Sequence, residues 1–110
     1  MGILKGRTKF GSEVSLNTAA GTGAYQSFSA VVSQNPSIIM FDNQSNVTVT
    51  ISDDGTTDGK TFIAGEVMIL DLRSNSLPPE NEFTWDIGTQ FFGKSAAGSG
   101  SFRISYVYAR

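Results

Sequence analysis

The residues of this 110-residue chain whose types could do chemistry lie in two acidic stretches. The first runs from Asp53 to Gly59 and contains Asp53, Asp54 and Asp58. Calcium takes six to eight oxygens, and an EF-type loop spaces its acids at alternate positions with a distal Glu. Here Gly55, Thr57 and Gly59 occupy the alternate positions after Asp53, so the stretch reads as a hairpin tip. In the second stretch Glu80, Glu82 and Asp86 flank Trp85. An aromatic beside acids suits a sugar platform, but glycoside hydrolysis needs two carboxyls at a set gap across a cleft. Pro78 and Pro79 point to a surface loop instead, so Trp85 is a candidate interface or sugar-stacking residue and no catalytic pair is predicted. Lys94 and Ser95 are adjacent, and neighbours on a strand face opposite ways, so they cannot act as base and nucleophile. Gly21-Thr22-Gly23 lacks the Lys and the helix of a phosphate loop.

Histidine and cysteine are both absent. The usual general base, proton switch and soft metal ligands are therefore missing, as is thiolate chemistry. The expectation is a chain that is not an enzyme and holds no cofactor or metal. Phe102, Tyr106 and Tyr108 could stack single-stranded bases. They alternate with Arg103, and only Arg110 adds nearby charge, so they read as an inner sheet face. The sequons at Asn43 and Asn46 read as chance matches.

The elements that must position these residues are strands. In Val47 to Ser52, Val47, Val49 and Ile51 point one way and Thr48, Thr50 and Ser52 the other. A one-residue slip would expose all three apolar side chains, so the register is specified. Asp53 to Gly59 then turns the chain with two Asp-Gly pairs suited to positive φ. The same pattern predicts strands over Ser12 to Leu16, Tyr25 to Ser33, Lys60 to Ala64, Glu66 to Leu72, Glu82 to Ile87, Thr89 to Ser95 and Ser101 to Ala109. Ser37 to Phe41 is continuously apolar from Ile38, which predicts a strand covered on both faces. Asn17 to Gly23 reads as a loop, and Asp42 to Asn46 as a turn whose side chains bond their own backbone. Eight or nine short strands at this spacing predict an all-β, antiparallel, two-sheet β-sandwich. A jelly roll is the first choice and an immunoglobulin-like sandwich, without its cysteine pair, the alternative.

Length predicts one domain. Residues 12–110 form it, and residues 1–11 read as a flexible basic arm, with Lys5, Arg7 and Lys9 among Gly2, Gly6 and Gly11. Nine acids between Asp42 and Asp86 face only Lys60 and Arg73 in the same span. A basic arm and an acidic body suit contacts between copies, and a small core without disulfides gains from such association. The formal net charge of −2 does not favour nucleic acid or anionic membrane. The amino end lacks the apolar core of a signal peptide, and no apolar run spans a bilayer; a cytoplasmic site of synthesis and assembly is expected.

Several phrases carry a resemblance: Ile39 to Ser45, Val47 to Gly55, Phe62 to Glu66, Ile69 to Arg73, Ile87 to Phe91 and Ala97 to Phe102. Together they resemble the small β-sandwich virion structural proteins of tailed bacteriophages, over about two thirds of the chain. The resemblance implies a capsid decoration (cement) protein that bridges neighbouring capsid subunits, or a neck or tail component. It implies the major capsid protein or other virion proteins as partners, a homo-oligomer, and residence in the virion. It carries no enzymatic residues. On this reading Lys5, Arg7 and Lys9 contact the partner, with Trp85 the first aromatic candidate. A carbohydrate-binding module using Trp85 is the reading from another class.

Overall fold

A computed structural model describes residues 8–72 and 85–109. Its strands are β1 (Thr8–Phe10), β2 (Val14–Asn17), β3 (Gln26–Ser27), β4 (Ile38–Asn43), β5 (Val49–Ser52), β6 (Lys60–Phe62), β7 (Val67–Asp71), β8 (Phe92–Lys94) and β9 (Ser101–Ala109). They form two antiparallel sheets packed as a β-sandwich. In one, β9 lies between β4 and the β1/β2 edge, and β7 lies outside β4. The other has the order β3-β8-β5-β6. The pairing is nested: β2 with β9, β3 with β8, β4 with β7 and β5 with β6.

Alternation explains the core. From β9, Phe102, Ile104 and Tyr106 point inward with Val14, Leu16, Ile39 and Phe41; from the other sheet come Val49, Ile51 and Phe62. Aromatic rings run through the interior in a connected series. Phe28 meets Phe102 edge-on, Phe102 meets Phe62, Phe62 stacks on Phe41, and Phe41 meets Phe91. Each such contact adds about 0.5–1.5 kcal/mol beyond the area it buries.

Two local features hold the sheets in register. Thr8–Phe10 pairs with Ala109–Val107, but Val14–Asn17 pairs with Ile104–Ser101. Residues 11–13 therefore stand opposite only Tyr106 and Ser105, a one-residue bulge. Gly11 sits at this bulge because the Tyr106 ring occupies the space where a Cβ would be. At the far end of β4, Asn43 is fully buried. Its Nδ2 donates to the carbonyls of Val47, Phe62 and Ile63 at 3.0–3.1 Å. Its Oδ1 accepts from the Ser45 amide and hydroxyl. This one amide ties β4, the following turn and the end of β6 together.

The structure departs from several sequence-based expectations. Ile38 to Phe41 is not covered on both faces: Ile39 and Phe41 are buried, whereas Ile38 is exposed and Met40 half-buried. Of Tyr25 to Ser33 only Gln26–Ser27 is a strand. The remainder crosses between sheets, with the Phe28 amide bonded to Phe91 and the Ser29 amide to Ser15. Phe28 and Val32 still face inward. Asn17 to Gly23 contains a 3-10 turn, Thr18–Ala20, capped by the Asn17 side chain. Trp85 to Ile87 is not strand; Glu82 to Thr84 lie outside the described residues. The span read as an arm, 1–11, includes the paired strand Thr8–Phe10, with residues 1–7 outside the described residues.

Candidate functional site

The three carboxylates of the Asp53–Gly59 loop are committed to three different partners. Asp54 accepts from the Thr56 and Thr57 amides and the Ser52 hydroxyl, each at 2.8 Å. These donors, the two backbone amides foremost, hold its carboxyl well below the usual carboxylate range. Asp53 accepts from the Trp85 indole N–H at 3.1 Å. Asp58 accepts from the Tyr25 hydroxyl and pairs with Lys94 at 3.0 Å. The loop is thus a self-capped turn. Gly55 adopts a φ of 82°, while Gly59 does not take positive φ. Among the described residues no three acids converge in a way that could hold a metal ion.

Tyr25, Asp58 and Lys94 form a polar cluster on the outer side of the β3-β8-β5-β6 sheet, with Lys94 also 4.9 Å from the Tyr25 ring centre. Burial, then the hydrogen bond and charge of Asp58, push the Tyr25 phenol up to about 12. The Tyr25 hydrogen bond, followed by Lys94, holds Asp58 below its ordinary value. A phenol raised in this way is a weak base and a weak nucleophile near neutrality, so the cluster reads as structural. The raised pKa favours the neutral phenol in the folded state. Its contribution to stability is complete below the unfolded value of 10.0 and is lost as pH rises through about 12. Titration of tyrosinate absorbance in the folded protein should show Tyr25 ionising near 12, and Asp58→Asn should bring it down towards the ordinary value. An unchanged midpoint in that variant would remove Asp58 as a cause.

Trp85 is half-buried against the core. Its ring meets Phe41 at 5.8 Å and Phe91 at 5.3 Å, both edge-to-face. It forms one wall of a cleft of about 220 Å³ between β6 and β7, lined by Phe62, Met68, Leu70 and Lys60 among others. Indole orientation is set by the two rings and by Asp53. Asp86 is exposed beside it, and Glu80 and Glu82 lie outside the described residues. Lys94 points to Asp58 while Ser95 is buried, which separates that pair as expected.

The outer faces of the two sheets differ in chemistry. On the β3-β8-β5-β6 sheet, Thr50 and Thr61 bond across strands at 3.0 Å beside Lys94. On the other sheet, register places Phe10, Val107, Ile38 and Asp71 in one row and Ser105, Met40 and Ile69 in the next. Arg103, Asp42 and Val67 form the third. Phe10 is 89% exposed, Ile69 62% and Val67 50%. An antiparallel sheet facing water on one side ordinarily carries polar residues there. The run from Ile38 predicted cover on both faces, and the same signal in Val67 to Leu70 was not used. The uninterrupted apolar runs Ile38 to Phe41 and Val67 to Leu70 call for cover on both sides, and this chain's described residues cover only one.

Of the proposed contact residues, Lys9 is exposed on β1, and Lys5 and Arg7 lie outside the described residues. Trp85 lines the cleft with Met68 and Leu70, which alternate along β7 with Val67 and Ile69 of the apolar rows. Comparison with protein-family models, curated proteins and solved structures found no match.

Proposed function

We propose that this chain is a structural subunit of a bacteriophage virion, acting as a capsid decoration (cement) protein that bridges neighbouring subunits. The observation that carries this reading is the apolar outer face of the β1/β2-β9-β4-β7 sheet. Exposed Phe10, Ile38, Val67 and Ile69 on a regular sheet make a contact surface, and contiguous apolar patches of this kind mark interaction sites. The resemblance to small virion sandwiches names the kind of assembly. Nested strand pairing supports jelly-roll winding over an immunoglobulin-like one. The protein works by burying area between subunits, without chemistry of its own. Its basic amino-terminal residues, Lys5 and Arg7 together with Lys9 on β1, engage an acidic neighbour. Its partners are the major capsid protein or other virion proteins, and it resides in the virion.

The test is co-sedimentation of the purified chain with virion shells that lack it. Deleting residues 2–7 spares the pairing of Thr8–Phe10 and should leave the melting temperature nearly unchanged while lowering shell occupancy about tenfold or more. Equal occupancy by the truncated and full chains would remove the arm from the reading. Absence of binding to any virion component, or glycan binding by the pure chain that disappears in Trp85→Ala, would overturn it.

A further inference from the structure

We infer that the apolar outer face of the β1/β2-β9-β4-β7 sheet takes a second copy of this chain, in a two-fold contact with Phe10 as its anchor. This deepens the assembly reading by naming the occupant of that face.

Phe10 is the most exposed of the large apolar side chains on this face. It projects from β1 at the end of the row Phe10, Val107, Ile38 and is 89% exposed. Directly beside it is a depression of about 190 Å³, lined by Phe10, Ile38, Met40, Ser105, Tyr106 and Val107. An apolar cavity of about 150 Å³ is enough to hold a benzene ring. A protruding phenyl ring and an apolar hollow of its size therefore adjoin on one surface. That is the self-complementary arrangement a two-fold contact requires, since the same patch must serve as knob and as hole. A heterologous partner would need only the hollow.

Area and charge agree. The strands of this sheet, at about 4.8 Å spacing and about 3.3 Å per residue, give a face of roughly 430 Å² in projection. Side chains standing out from the sheet raise the accessible area above this. A two-fold contact over it has the size of the low end of specific interfaces, as a concentration-dependent dimer does. Arg103 is already bonded to Glu13 at 3.0 Å, and Glu13 also accepts from Ser105. Two copies can thus meet without burying that cation unpaired. The opposite sheet, with Thr50, Thr61, Lys94 and the Asp58 cluster, is left facing water or the shell.

Sedimentation equilibrium of the full chain should show a concentration-dependent dimer. Phe10→Ser should weaken it at least about thirtyfold, because each dimer carries the anchor twice. Ile69→Lys should weaken it too, with the far-ultraviolet spectrum unchanged in both. The absence of cysteine allows a second measurement, which traps the contact and keeps one Phe10 anchor in each mixed dimer. Phe10→Cys mixed with Met40→Cys should oxidise to a mixed disulfide dimer, and Asp58→Cys on the opposite sheet should not. A wild-type chain that stays monomeric at all concentrations, or cross-links equally through Asp58→Cys, overturns this inference. Shell binding by a strictly monomeric chain would leave the assembly reading standing while removing the two-fold contact. A dimer that ignores virion shells would do the reverse.

Discussion

Asn43→Leu should lower the stability of the isolated domain by about 3–5 kcal/mol, among the largest effects of any single substitution in this chain. The leucine fills a similar volume but cannot donate. The carbonyls of Val47, Phe62 and Ile63 lose their shared donor in a site where Asn43 is 0% exposed. The Ser45 amide loses its acceptor as well, and the Ser45 hydroxyl keeps only the Val47 carbonyl. A buried polar group left without a partner costs about 1–3 kcal/mol, and the added apolar burial offsets only part of that. For a domain of this size each kcal/mol moves the melting temperature by about 4–8 °C, so a fall of about 15 °C or more is expected. Asn43→Asp should be no better, since it keeps the acceptor, removes the donors and places a carboxylate among carbonyl oxygens. The comparison is Asn46→Ala three positions on. There one exposed contact to the Ser99 amide is lost, and about 1 kcal/mol is expected. Urea unfolding of the three variants decides the matter; a loss below about 1 kcal/mol for Asn43→Leu would show that the buried amide is not a fastening point.

The second large effect is at the bulge. In Gly11→Ala the new methyl would lie 2.0 Å from Cε2 and 2.1 Å from Cζ of Tyr106. No contact survives at that distance, so either ring or strand must move. The ring is held: Tyr106 is 3% exposed, its hydroxyl accepts from the Ser33 amide at 3.0 Å, and it bonds the Ser33 hydroxyl at 3.0 Å. Displacing it gives up aromatic burial and both bonds, about 2–4 kcal/mol. A double-mutant cycle isolates the cause. In a Tyr106→Ala background the space is vacant, so adding Gly11→Ala should cost less than about 1 kcal/mol. Equal costs in the two backgrounds would trace the effect to backbone preference instead of the ring. Because β1 carries Phe10, an unpaired β1 should also weaken self-association. The cycle therefore connects a core packing defect to the outer face.

Much of the architecture was legible because it rests on period-two alternation, a property of neighbouring residues. Val49 and Ile51 face inward, and Ser101–Ala109 is a strand over the whole predicted span with Phe102, Ile104 and Tyr106 buried. Phe28 and Val32 face inward even though most of their segment is not ladder. Alternation concerns side-chain direction, and it survives where the backbone leaves the sheet to bond Ser15 on one side and Phe91 on the other.

What the chain's own sequence determined is the all-β class, the approximate strand set and the phase of each strand, since these follow from local chemistry. Tertiary structure alone decided what each strand meets. It turned Asn43 from a turn residue into a buried clamp, and it set Tyr106 against Gly11. It dispersed Asp53, Asp54 and Asp58 to Trp85, backbone amides and the Tyr25–Lys94 pair. It also left Ile38 and Ile69, on the second face, exposed among the described residues. The physical reason is that register between distant segments depends on how both sheets pack at once, and no local pattern encodes that sum.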